Sequence, residues 1–215
     1  LAPPHWYRGM AYYHLGDSQA GLDEMDQALA IDPDYALAYA DRGLLFSEVG
    51  NSEQALVDWQ RALNLDPTLA KVYHNIGLLY ENSGDYETAL NAYTQALATD
   101  HERANTWRHR AGVLLELGQY GGCVDNAEQA LTLQPQLWNA YAIRGACLAG
   151  LGQYITALDD LSLYLEVEGS DPEAWYYRGL SHYHLSNYEQ AITDLNLAVE
   201  LGSIPMAYYY RGLSY

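Results

Sequence analysis

Six of the nine arginines in this chain are evenly placed. Arg8, Arg42, Arg110, Arg144 and Arg178 fall on one 34-residue spacing, and Arg211 follows one residue short of it. Sixteen residues after four of them stands an acid: Glu24, Asp58, Asp160 and Asp194. After Arg110 the same spacing gives Asn126, a neutral acceptor. Where the arginine series is interrupted by Ile76, the residue sixteen further on is Ala92. Within the six complete repeats, arginine and acceptor are therefore present together and absent together. A planar guanidinium matches a carboxylate in a two-bond fork, so the spacing predicts paired side chains joining two elements of one repeating unit. This chemistry is structural rather than catalytic.

Other reactive side chains form no constellation. There is no nucleotide-binding loop and no HExxH, GxSxG or DxDxDG signature. His182 and His184 lie two apart and point different ways on a helix; His182 takes an aromatic position and is expected in the core. Arg108, His109 and Arg110 make a local basic spot. Cys123 and Cys147 form no CxxC and have no zinc-spaced company, and both are expected to be buried, reduced thiols packing as small hydrophobes. No catalytic residue, cofactor or metal is expected, and the chain reads as a non-enzyme.

Against 28 acids there are 10 bases, a single one of them lysine, and the formal charge is -18. That charge repels phosphate backbones, and no basic stripe offsets it, so nucleic acid is a poor partner. Anionic membrane surfaces are disfavoured for the same reason. No apolar run reaches the roughly 18 residues that suggest a membrane span.

The elements that place these side chains are repeats. Gly9, Gly43, Gly77, Ala111, Gly145 and Gly179 are 34 residues apart, with Gly212 following. Gly16, Gly50, Gly84, Gly118, Gly152 and Ser186 form a second series, and Ala28, Ala62, Ala96, Ala130, Tyr164 and Ala198 a third. A fourth runs through Pro33, Pro67, His101, Pro135 and Gly169. The repeats are 2–35, 36–69, 70–103, 104–137, 138–171 and 172–204, with 205–215 the first helix of a seventh; together they make one array over 1–215. Positions are numbered below from the first residue of each repeat.

Positions 4, 7, 8 and 11 share one helical face. Glycine at position 8 permits a close approach of two helices, and glycine at position 15 suits a turn with positive φ between them. Tyr86, Tyr120, Tyr154 and Tyr188 occupy position 17, just inside the second helix. Asp32-Pro33, Asp66-Pro67 and Asp171-Pro172 are expected to end one helix and start the next. A single repeat buries too little to fold alone, and stacked neighbours build a continuous core.

Tyr73, Ile76, Gly77, Tyr80, Ala89, Tyr93 and Ala96 in repeat three, and Tyr39, Gly43, Phe46, Ala55, Trp59, Ala62 and Pro67 in repeat two, resemble the tetratricopeptide repeat (TPR) pattern. The resemblance implies an all-α, right-handed superhelical solenoid of helix-turn-helix units, helices A and B. It also implies that the A helices line a concave groove through positions 2, 5, 6, 9, 12 and 13. Trp6, Tyr7, Tyr13, Leu44, His74, Arg108, Tyr176, Tyr177, Tyr183, Tyr209 and Tyr210 are the groove residues expected to meet a partner. Thirteen of the 21 tyrosines fall on core positions; the seven on groove positions all belong to repeats one, six and seven. Tyrosine offers a large contact area at low entropic cost, so these predict aromatic patches in those repeats. The family's carboxylate clamp and its asparagine ladder at position 6 find no match, Lys71 and Asn75 being isolated.

The leading expectation is a protein–protein interaction scaffold that binds a peptide or partner segment in the groove, with the acid excess favouring a basic one. The chain opens without methionine and stops inside the repeat motif, so both ends read as cuts, and neither looks capped. Arg211 has no position-23 acid of its own. Two alternatives follow: a subunit that self-assembles end to end into a filament or ring, and a regulatory arm of a larger enzyme.

Overall fold

The computed structural model describes residues 2–215. Among them are thirteen α-helices and no strand. The helices are α1 (Ala2–His14), α2 (Ser18–Ile31), α3 (Ala36–Glu48), α4 (Ser52–Leu65), α5 (Ala70–Asn82), α6 (Tyr86–Thr99), α7 (Ala104–Glu116), α8 (Tyr120–Leu133), α9 (Trp138–Gly150), α10 (Tyr154–Val167), α11 (Pro172–His184), α12 (Tyr188–Leu201) and α13 (Pro205–Ser214). Odd-numbered helices are A helices and even-numbered ones B helices. The fold is an all-α helical repeat solenoid. The chain divides into two compact bodies, an N-lobe over 2–101 and a C-lobe over 102–215.

Each A-to-B turn is set by position 15. Gly16, Gly50, Gly84, Gly118 and Gly152 have φ of 68 to 80°, and Ser186 takes the same left-handed region at 61°. This reverses the chain directly after helix A. In the first three repeats the next residue then caps helix B: Asp17, Asn51 and Asp85 accept from the backbone N–H of Ala20, Gln54 and Thr88, satisfying a donor that the helix leaves open.

Helices A and B of one repeat meet at positions 8 and 24. A Cβ at Gly43 would lie 2.6 Å from the Trp59 ring, and one at Gly77 would fall within the Tyr93 ring's contact distance. Both rings are fully buried. Repeat four instead carries alanine at both places, Ala111 at position 8 and Ala127 at position 24, both fully buried. Within each lobe every B helix then packs on the A helix that follows it.

Two sequence expectations need correction. The three Asp-Pro pairs are not equivalent. Asp32 and Asp66 end helices α2 and α4, and their prolines lie in the turn. Asp171 instead caps α11 and Pro172 is its first residue, because the Asp171 side chain accepts from the N–H groups of Glu173 and Ala174. The core tyrosine positions are also not uniformly buried: Tyr12, Tyr188, Tyr208 and Tyr215 are 37%, 47%, 48% and 85% exposed. Tyr208 lies on α13, where Met206, Tyr209 and Leu213 are exposed as well.

Candidate functional site

The periodic arginines sit between helices. Arg42 donates from Nε and Nη2 to the two oxygens of Asp58 at 2.7 and 2.8 Å. Arg144 holds Asp160 at 2.6 and 2.7 Å, and Arg178 holds Asp194 at 2.8 and 2.8 Å. All three aspartates are buried. The bond from Asp58 and the charge behind it push the Arg42 pKa up, overcoming burial; Asp160 does the same for Arg144. Repeat four has the bond without the charge. Arg110 donates to Asn126 Oδ1 at 2.7 Å, and burial pulls its pKa down. In repeat one the pair is looser: Arg8 reaches Glu24 through one nitrogen at 2.9 Å, sharing that oxygen with His5.

Two further features of this arrangement escaped the sequence reading. The aromatic at position 4 lies under the guanidinium at position 7. Arg110 stands 4.7 Å from the Trp107 ring centre, Arg178 4.5 Å from Trp175, and Arg42, Arg144 and Arg211 are 5.4 to 5.5 Å from their tyrosines. Such i, i+3 neighbours share a helix face, so the signal was present. The arginine also reaches back sixteen residues as well as forward: Arg42 bonds Asp26 of the previous B helix at 2.7 Å. Arg211, which has no position-23 acid of its own, reaches Asn196 of α12 at 3.0 Å.

On the A-helix face of the N-lobe, Asp41 is the centre. It is buried, and it accepts from the Trp6 indole at 2.8 Å and from the Lys71 ammonium at 2.8 Å. Three successive A helices are thus tied by one carboxylate. Tyr7 is 66% exposed and packs edge-on against Trp6. Tyr13 is half-buried, and its pKa is raised by burial and by its bond to Glu48. Leu44 is half-buried. His74 leans on the Tyr93 ring at 5.7 Å. Trp6, Asp41 and Lys71 stand at groove positions 5, 6 and 2 of three successive repeats, but their spacing does not show that they converge.

On the C-lobe's A-helix face the aromatics touch in a run. Tyr176 and Tyr177 are 5.0 Å apart, Tyr183 and Tyr210 5.2 Å, and Tyr209 and Tyr210 5.2 Å between ring centres. His184 stacks on Tyr154 at 4.5 Å. Burial pushes the Tyr176 pKa up to about 12 and that of Tyr177 higher still. Beside this run, between α7, α9 and α11, lies a cavity of about 180 Å³ whose lining includes Arg108, Tyr177, Glu173 and Tyr164. Arg108 also contacts His109. Tyr164 stands where the other repeats carry alanine, and its hydroxyl donates to Asp171 at 3.0 Å. That departure from the alanine series was the available signal for the cavity.

The cysteines overturn the free-thiol expectation. Cys123 and Cys147 are both fully buried, and they form a disulfide. Position 20 of α8 faces position 10 of α9, with Cα atoms 6.2 Å apart, within bridging range. Among the described residues no group of three or more His, Cys, Asp or Glu is placed to hold a metal, and no helix is long and apolar enough to cross a membrane.

Three segments match known family models: 48–84 the TPR repeat, and 70–102 and 172–202 the tetratricopeptide repeat. No curated protein matches the sequence. Among solved structures, pilF of Pseudomonas aeruginosa is similar with a TM-score of 0.82 at 18% identity, covering 100% of this chain and 97% of its own. YrrB, described as a TPR protein with an unusual peptide-binding site, gives 0.76 at 24% identity over 88% of this chain and 97% of its own. A tetratricopeptide repeat protein from Parabacteroides merdae gives 0.72 at 16% identity, covering 99% and 85%.

Proposed function

This chain belongs to the tetratricopeptide repeat family, and we propose that it is a non-catalytic scaffold holding an extended peptide or partner segment on the groove face of its A helices. Interaction scaffolding is the general use of the family. The finer reading rests on one observation: the aromatic run on α11 and α13, with the cavity beside it. Rigid aromatic side chains at a partly open surface are the residues that dominate protein interfaces. The fold's likeness to YrrB, itself described as having a peptide-binding site, agrees with this reading.

Linear peptides selected on the whole chain from a random phage-displayed library supply the probe. Changing Tyr176, Tyr177 and Tyr183 together to alanine is expected to weaken the selected peptides by about thirtyfold or more, the scale of one interface hot spot. Helicity by circular dichroism should remain close to that of the parent. Peptides that keep their affinity for the triple variant, and lose it instead on changes to the outer faces of α8, α10 or α12, would contradict the groove assignment.

A further inference from the structure

At about 180 Å³ the C-lobe cavity is smaller than the roughly 300–1,000 Å³ of small-molecule sites. It has room for one side chain of a longer ligand. Ala142, Ala146 and Ala174 line it and leave the space open. Tyr177 and Glu173, four residues apart on α11, present a ring and a carboxylate on one helix face.

The acids here have different duties. Asp171 is consumed by the fold: one oxygen caps α11 and the other takes the Tyr164 hydroxyl. Glu173 is the acid left over. Its side chain remains accessible to solvent, and among the described residues no lysine or arginine pairs with it. Burial raises its pKa, and the carboxylates of Asp171 and then Glu116 raise it further. Arg108 also lines the cavity and contacts His109. A bound cation would relieve the repulsion around Glu173. An acidic segment would add to it and would meet a chain of net charge -18.

We propose that this cavity is an anchor subsite for one Lys or Arg side chain of the bound segment. The cationic head meets the Glu173 carboxylate, and the methylene stem lies along Tyr177 and the three alanines. Long basic side chains bury their stems in this way while the charge is met at the end, and an aromatic wall adds attraction for the cation. The subsite rests on the groove reading above and gives it a register, because one fixed basic residue would align the whole segment.

The test uses the peptides selected on the whole chain. They are expected to share one Lys or Arg at a fixed place. Exchanging it for norleucine, or arginine for citrulline, should cost tenfold or more in affinity for the parent chain, as for a charged hydrogen bond. Glu173→Gln keeps the side chain's shape and should keep the parent's thermal midpoint. It should bind the basic peptide about tenfold more weakly and show little preference between basic and norleucine forms. If Glu173→Gln binds the basic peptide as tightly as the parent while the triple tyrosine variant does not bind it, the subsite is wrong and the groove reading stands. An acidic residue at the shared place would also overturn the subsite. If the triple tyrosine variant binds normally, or if selection yields no binder, both fall.

Discussion

Arg42→Ala is expected to lower the stability of the chain by about 3 kcal/mol, the lower end for removing one partner of a buried ion pair. Asp58 is only 3% exposed and gives both oxygens to Arg42. Without the guanidinium that carboxylate stays buried and uncompensated, and Tyr39 and Phe46 lose the cation lying over them. Arg8→Ala is the control. Its side chain is more than half exposed and holds Glu24 through a single nitrogen, so the expected cost is about 0–1 kcal/mol. Repeat three shows the relief route: Ile76 and Ala92 fill these two positions with apolar side chains. An Arg42→Ile, Asp58→Ala double variant should therefore recover part of the loss. Urea unfolding curves of the four proteins decide the matter. Equal losses for Arg42→Ala and Arg8→Ala would refute a pairing that stabilises the buried repeats.

Reducing the Cys123–Cys147 disulfide is expected to cost roughly 3 kcal/mol on the chain-entropy estimate for a loop of its 24-residue separation. The bridge fastens α8 to α9, and so repeat four to repeat five. Thermal melting with and without reductant should show the C-lobe destabilised and the N-lobe unchanged. The double change of both cysteines to alanine should match the reduced protein and ignore reductant. Such bonds persist in oxidising compartments and are lost in a reducing cytosol, so the C-lobe's stability should depend on where the chain is kept. Two thiols reacting in the unfolded, unreduced chain would contradict the bridge.

Features that depend on one residue's own geometry could be read from the sequence. Glycine at position 15 admits positive φ at no steric cost, which suits the turn it stands in, and the Gly77–Tyr93 contact is implicit in a repeat that pairs a missing side chain with a large one. The arginine and its acid were visible because they vary together within one chain. Features set by the register between successive repeats were not. The cysteines occupy two small positions, 20 and 10, whose spacing gives no distance until α8 and α9 are placed side by side. Trp6, Asp41 and Lys71 come from three repeats and meet only when three A helices are stacked. Asp171-Pro172 looks like its two counterparts, because sequence alone does not distinguish an aspartate closing one helix from one opening the next. Tyr164 was visible as an odd member of the alanine series; the bond from its hydroxyl to Asp171 was not.

A backbone amide shift map of the isotopically labelled chain, taken while a selected basic peptide is titrated in, shows which helix face holds the peptide. The largest C-lobe shifts are expected on the A helices α7, α9, α11 and α13, centred on Glu173, Tyr177, Ala142 and Tyr210. Shifts confined to α8, α10 and α12, with those A helices unmoved, would contradict groove binding.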